Sequence, residues 1–196
     1  VPVSFVATEN VEAAQKAGRE IDGLVEENRP IAIVSHIPEV ATAIDREKGV
    51  RNALAHRDGR LILGTFYSEN EPERAYNITQ ELVEKYPNLG GVVALNENST
   101  VGVGRALKDL GVYDRISLVG FDNSKEEIQF LEEGIVRALV VQRPFNMGYL
   151  GIRTVVEALR GRKVEPVIYT DSVLVRKDEI FTEENQKLLF PIVESR

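Results

Sequence analysis

Four polar residues in this chain occupy comparable places, each at the end of a short apolar run or soon after one. Asn96 follows Val92-Val93-Ala94-Leu95, Asp122 follows Leu118-Val119-Gly120-Phe121, and Gln142 follows Leu139-Val140-Val141. Arg46 lies early in the stretch after Ile31–Ser35. One carboxylate, one guanidinium and two carboxamides brought to one cleft suit a polyol. A carboxylate accepts from two adjacent hydroxyls, a guanidinium donates to two more, and each amide does both. A buried hydroxyl left unpaired costs roughly 1–3 kcal/mol, so a hydroxyl-rich ligand needs such a mixture.

Each residue also has an ordinary local role open to it. Asp122 could cap the turn before Ser124, and Asn96 could N-cap a helix that starts at Glu97. Arg46 sits among Asp45, Glu47 and Lys48, where a solvated ion pair is the plain alternative. Gln142 alone carries no signal. Only the set, one polar residue per strand end, points to a site.

Other chemistries find less support. Cysteine is absent, which excludes disulfides, thiolate catalysis and sulfur-built zinc sites. Two histidines, His36 and His56, leave little for a metal or acid–base centre, although His36 follows a strand and could line a cleft rim. Gly102-Val103-Gly104 begins like a dinucleotide fingerprint, but Leu107 stands where the third glycine belongs, and the pair falls inside a helical stretch. Asp122 as a phospho-acceptor would need an acidic magnesium cluster, for which only Glu97 and Glu69 are candidates. No Ser–His–Asp order, paired acid–base carboxylates or P-loop is present. The expectation is a binding protein with no enzyme activity, no metal and no cofactor.

The composition is that of a water-exposed globular chain. The 196 residues are 43% hydrophobic and 28% charged, enough for a real core. A net charge of -7 argues against a nucleic-acid surface. No run of eighteen apolar residues suggests a membrane span. No leader is visible and the chain opens on Val1, so a processed chain or a piece of a longer one is expected.

What must position the polar residues is an alternation of strands and helices. Strands are expected at Val3–Val6, Ile31–Ser35, Leu61–Phe66, Gly91–Leu95, Ile116–Phe121, Val136–Val141 and Val167–Val175. Successive apolar residues in them suit strands covered on both faces. Amphipathic stretches lie between, marked by Ile21 with Leu24, Val50 with Leu54, Ile78 with Leu82, Val103 with Leu107, Ile128 with Leu131, and Val155 with Leu159. Ser124 with Glu127 reads as a capping box, and Gly134 as that helix's stop. Asn70, Pro72 and Glu73 read as N-cap, first-turn proline and acidic first turn. Pro144 opens another helix, and a short tail helix is expected over 179–196. The fold class is α/β, a parallel sheet with helices on both faces. In such a sheet ligands bind beyond the strands' carboxyl ends, where the strand order reverses.

Several of these stretches resemble a known family. Arg46-Glu47-Lys48-Gly49, Gly91 to Glu97, Leu118 to Asp122, and Val141 to Gly148 are similar to the ribose-binding-protein branch of the type I periplasmic binding proteins. The same branch includes effector domains of lactose-repressor-like regulators. The resemblance runs to about Lys177, in family order and spacing. It implies a two-lobed protein that closes over one sugar, with Arg46, Asn96, Asp122 and Gln142 as contacts of the second lobe. It also implies that Ala7-Thr8-Glu9-Asn10 is the first hinge crossing, where the family tends to have Ser-Asp-Asn. Asn70 stands where the family often has an aromatic that stacks on the sugar, leaving Tyr67, Phe121 or Phe145 to supply a ring.

The resemblance further implies that residues 1–142 and 166–178 form the second lobe, and that 143–165 carry a helix returning to the first. The opening half of that first lobe, on the order of a hundred residues, has no counterpart here. The helix's apolar stripe is then expected to fold back on this lobe, to pair with a second copy, or to be mobile. Implied partners are a small sugar-like ligand and a membrane permease or receptor, with no direct nucleic acid. The implied location is extracytoplasmic, in a transporter or sensor. A cytoplasmic repressor's effector domain is the alternative. Against it, Glu27-Asn28-Arg29-Pro30 replaces the Gly-His that repressors often carry there.

Overall fold

The structure is a computed structural model that describes residues 2–55, 59 and 61–190; His56 and residues 191–196 lie outside them. Its elements alternate from β1 (Phe5–Thr8) and α1 (Asn10–Leu24) to β2 (Ile31–Ser35), α2 (Ala41–Leu54), β3 (Ile62–Tyr67) and α3 (Pro72–Lys85). There follow β4 (Gly91–Ala94), α4 (Glu97–Asp109), β5 (Ser117–Phe121), α5 (Lys125–Glu133), β6 (Ala138–Gln142) and α6 (Pro144–Leu159). The chain ends with β7 (Val167–Thr170), β8 (Ser172–Arg176), a 3-10 turn and α7 (Glu183–Leu189).

Six strands form the main sheet in the order β3-β2-β4-β5-β6-β8. The first five are parallel, and β8 closes the edge antiparallel to β6. Successive residues point to opposite faces of a strand, and here both faces are covered. Ile31, Ile33, Val93, Val119 and Phe121 pack with Ala13, Ala17, Ile21, Val50 and Leu54 of α1 and α2. Their neighbours Ala32, Val34, Val92, Leu118 and Leu139 pack with Leu82, Val103, Leu107, Phe130 and Leu131 of α3, α4 and α5. Burying each such side chain contributes about 1.5–3 kcal/mol. This explains the unbroken apolar runs of β2, β4, β5 and β6, which have no wet side.

The α/β reading holds, with one difference in its strands. The expected strand over Val167–Val175 is divided at Asp171. Its first part, β7, pairs only with β1, in parallel register from Phe5 with Val167 to Thr8 with Thr170. The expected lobe bounds, 1–142 with 166–178, therefore take in two strands that lie outside the six-stranded sheet. The helix α6 lies beside this two-stranded pair. It rests against β1, and Phe145, Ile152, Val155 and Leu159 stay exposed, Leu159 at 83%. The helix expected in the tail spans Glu183–Leu189.

Local signals are mostly met. Ser124 and Glu127 form the capping box, and Gly134 closes α5 at φ 81. Pro72 and Pro144 stand in the first turns of α3 and α6. Asn70 is a correction: the residue before α3 is Glu71, which makes no side-chain cap. Asn70 is instead in the left-handed region at φ 62, a conformation asparagine tolerates better than most residues, and its side chain turns to another loop.

Candidate functional site

The strand order reverses between β2 and β4, where β3 lies to one side and β5 and β6 to the other. A crevice opens beyond the carboxyl ends of the strands at such a point. All five residues singled out from the sequence lie around it.

Asp122 leaves β5 at φ 78, and with Glu69 and Asn70 it is one of the non-glycine residues at positive φ. Such conformations cost energy and persist where the surroundings hold them. Here the Asp122 carboxylate is held from two sides. Oδ1 accepts from Gln142 Nε2 at 2.5 Å, and Oδ2 accepts from the backbone N–H of Glu97 at 3.2 Å, at the start of α4. The first turn of a helix suits an anion. Gln142, the last residue of β6, accepts from Thr8 Oγ1 at 2.8 Å through its own Oε1. Asn96 is both cap and site member. Its Oδ1 accepts from Ser99 N at 3.2 Å, and its Nδ2 donates to Asn70 Oδ1 at 2.7 Å. The Asn70 carbonyl takes a further bond from Asn98 Nδ2 at 2.9 Å. Asn96, Asp122 and Gln142 are half-buried and Asn70 is exposed, so the cluster faces solvent.

Arg46 is not a solvated ion pair. It is 5% exposed, with its guanidinium carbon 4.5 Å from the centre of the Phe121 ring. Nε donates to Asn10 Oδ1 at 2.8 Å and Nη1 to the Leu95 carbonyl at 2.7 Å. Nη2 makes no hydrogen bond to the protein among the described residues. Burial lowers the Arg46 pKa, while the Asp122 charge raises it. An arginine keeps its charge under such a shift, so cation and carboxylate share the crevice. His36, after β2, is buried as well. Its Nε2 lies 3.1 Å from Thr42 Oγ1, and its Nδ1 has no partner among the described residues. Burial first, then the Arg46 charge, lowers its pKa against an opposing pull from Asp122, so the ring is neutral at neutral pH.

A cavity of about 320 Å³ adjoins Asp122 and Gln142, lined also by Glu97, Asn123, Ser124, Pro144 and Met147. Among the described residues no group of three or more His, Cys, Asp or Glu could hold a metal ion, and no helix is long and apolar enough to cross a membrane. Gly102 and Gly104 have a packing role. A side chain at Gly102 would strike the Pro72 carbonyl and Ala75 of α3, and one at Gly104 would strike the Phe130 ring.

The model of the periplasmic binding protein domain family matches residues 2–163. The chain belongs to that family. Within it the chain stands in the type I, ribose-binding-like branch. The ribose import binding protein of Escherichia coli is 27% identical over 175 residues, which are 89% of this chain and 58% of that protein. The chain thus spans little more than half the length of that relative. A solute binding protein of an ABC transporter from Agrobacterium vitis, solved with bound D-fucose, is 29% identical at a TM-score of 0.90, covering 95% of this chain and 64% of that one. A sugar transporter structure from Clostridium phytofermentans is 35% identical at a TM-score of 0.81, covering 91% and 64%.

The three aromatics considered for a stacking platform beside Asn70 stand in different surroundings. Phe121 is fully buried beneath Arg46. Tyr67 donates its hydroxyl to Glu47 Oε2 at 2.9 Å, in a network that also holds Arg51. Phe145 is on α6 and 78% exposed. Sequence reasoning missed two direct partners of the cluster, Thr8 and Asn10. Both lie in the segment noted as a hinge crossing, the one signal that could have found them.

Proposed function

We propose that this chain captures a small polyhydroxylated solute, a sugar or a sugar-like molecule, and does no chemistry on it. It does so as part of the solute-binding component of an ABC-type transporter. One observation carries the reading: Asn70 and Asn96 bond each other, Asp122 and Gln142 bond each other, and Arg46 is anchored to Asn10 and the Leu95 carbonyl, all beyond the carboxyl ends of the same strands. In this reading Arg46, Asn96, Asp122, Gln142 and Asn70 contact the ligand. The carboxylate accepts from adjacent hydroxyls, Arg46 Nη2 and the carboxamides donate, and no group is placed to break a bond.

The roles of the relatives, ribose import and ABC-type solute binding, favour transport over a repressor's effector domain. In the transport reading the protein works outside the cytoplasm and hands its ligand to a membrane permease or receptor. The β1–β7 pair and α6 are the returning part of a first lobe, whose remainder covers the exposed face of α6. In the isolated chain a second copy could occupy that face.

Thermal shift of the full-length protein against D-ribose, D-allose, D-fucose, D-arabinose and open-chain polyols tests this. A ligand at a hundred times its Kd should stabilise by about 2.7 kcal/mol. No rise in Tm with any of them at millimolar concentration would remove the sugar-capture reading.

A further inference from the structure

The segment between β1 and α1 contributes no predicted ligand contact, yet it touches two of the residues that do. Thr8 is the last residue of β1 and Asn10 the first of α1. We infer that Asn10 and Thr8 are positioning residues, Asn10 for Arg46 and Thr8 for Gln142, so that this crossing sets the aim of the capture groups. The inference rests on the reading that Arg46 and Gln142 take the solute.

The Asn10 carboxamide can face only one way. Its Nδ2 donates to the Thr8 carbonyl at 3.1 Å, which turns Oδ1 toward Arg46 Nε at 2.8 Å. A flipped amide would set two donors against each other and an oxygen against a carbonyl. With Nε held by Asn10, Nη1 by the Leu95 carbonyl and the plane stacked on Phe121, the guanidinium has one orientation left, and Nη2 is the nitrogen without a protein acceptor among the described residues. Removing Oδ1 would strand the Nε–H in a nearly dry place, and the side chain would turn to satisfy it.

Thr8 acts likewise on the second group. It is 3% exposed, and its hydroxyl donates to Gln142 Oε1. That bond fixes which end of the Gln142 amide points to Asp122, and so sustains the 2.5 Å contact there. The neighbouring crossings are tied to the same place. Glu9 N donates to the Thr170 carbonyl at 3.1 Å, and Arg143 Nε lies 3.0 Å from Asp171 Oδ1. Because β1 pairs with β7 alone, the aim of groups on the six-stranded sheet is set partly by residues outside it.

The test uses the full-length protein with D-ribose, D-allose and D-arabinose as probes, and Asn10→Ala, Asn10→Asp, Thr8→Val and Thr8→Ser as variants. Calorimetry should show Asn10→Ala binding about tenfold more weakly, the loss of one hydrogen bond's worth. Asn10→Asp keeps the acceptor for Arg46 Nε but sets an oxygen against the Thr8 carbonyl, so it should recover part of that loss and not all of it. In an Arg46→Lys background Asn10→Ala should cost nothing further, because it acts through Arg46. Thr8→Val should weaken binding and Thr8→Ser should not. A readout without ligand is the NMR signal of the Arg46 Nε–H, sharp in the wild type and in Asn10→Asp, broadened or shifted in Asn10→Ala. Equal losses from Asn10→Ala in the wild-type and Arg46→Lys backgrounds, or an unchanged Nε–H signal, would overturn the positioning role. A wild type that binds none of the probes would overturn the capture reading instead, and the Nε–H signal would still decide the positioning.

Discussion

The Gln142 amide nitrogen lies 2.5 Å from Asp122 Oδ1, a bond between the ends of two adjacent strands, β6 and β5. It fixes both side chains in advance, and in the proposed reading the carboxylate then accepts from ligand hydroxyls. Asp122→Asn keeps the oxygen that Gln142 uses and removes the charge. Affinity for the sugar that binds the full-length protein should fall by about 1.5–3 kcal/mol, the worth of a charge-assisted hydrogen bond. Calorimetry checks this, and an unchanged Kd would take Asp122 out of the site.

The backbone at the same position offers a separate experiment. At φ 78 a Cβ is unwelcome, and the native carboxylate offsets the strain by bonding Gln142 and Glu97 N. Asp122→Gly and Asp122→Ala both delete those bonds, but only the first relieves the strain. The glycine variant should be the more stable by about 1 kcal/mol, read as urea midpoints at equal m-values.

Arg51 is the control for Arg46. Both are on α2, yet Arg51 turns away from the crevice to Glu47 Oε1 at 2.8 Å and Thr65 Oγ1 at 2.9 Å. Arg51→Ala should leave ligand affinity within experimental error and cost at most about 1 kcal/mol of stability, as for other exposed pairs. A tenfold loss of binding would mean that the crevice extends along β3.

Glu127 gives stability a pH dependence. Its side chain is fully buried, Oε2 accepts from Ser124 N at 2.7 Å, and Oε1 has no partner among the described residues. Burial is the main cause that pushes its pKa from 4.5 up to about 9. Between those values the unfolded chain releases the proton and the folded chain keeps it, so wild-type stability falls as pH rises through that window. Glu127→Gln keeps an acceptor for Ser124 N and cannot ionise. The unfolding free energy of the variant minus that of the wild type should increase from pH 4.5 to pH 9, with a limiting slope of about 1.4 kcal/mol per pH unit. A constant difference would mean that the buried carboxyl is ionised.

The main sheet was legible because strands covered on both faces are written as unbroken apolar runs, and the residue that follows each run is placed by the sheet itself. Asn96 and Asp122 could be found in this way. Gln142 could too, although it proved to be the last strand residue. Asn70 was placed at the crevice but given the wrong local role. Its partner is Asn96, 26 residues later, and helix-start signals look only three or four residues ahead. The division at Asp171 is marked only by the polar run Thr170-Asp171-Ser172 between two apolar stretches, too short an interruption to separate two strands by pattern alone. Thr8 and Asn10 were missed as partners for a similar reason: Gln142 and Arg46 lie 134 and 36 residues away.

The anchoring of Arg46 has a consequence for how a solute would be held. A free arginine loses on the order of 2 kcal/mol of rotamer entropy when it is ordered. Here folding has already met that cost through Asn10, the Leu95 carbonyl and Phe121. Docking need not freeze the side chain, so the contact should appear in a long residence time, with arrival governed by diffusion into the crevice. A shape fixed so far in advance also adapts poorly, and widening the choice of ligands would require rebuilding the support around the arginine as well as the surface that meets the sugar.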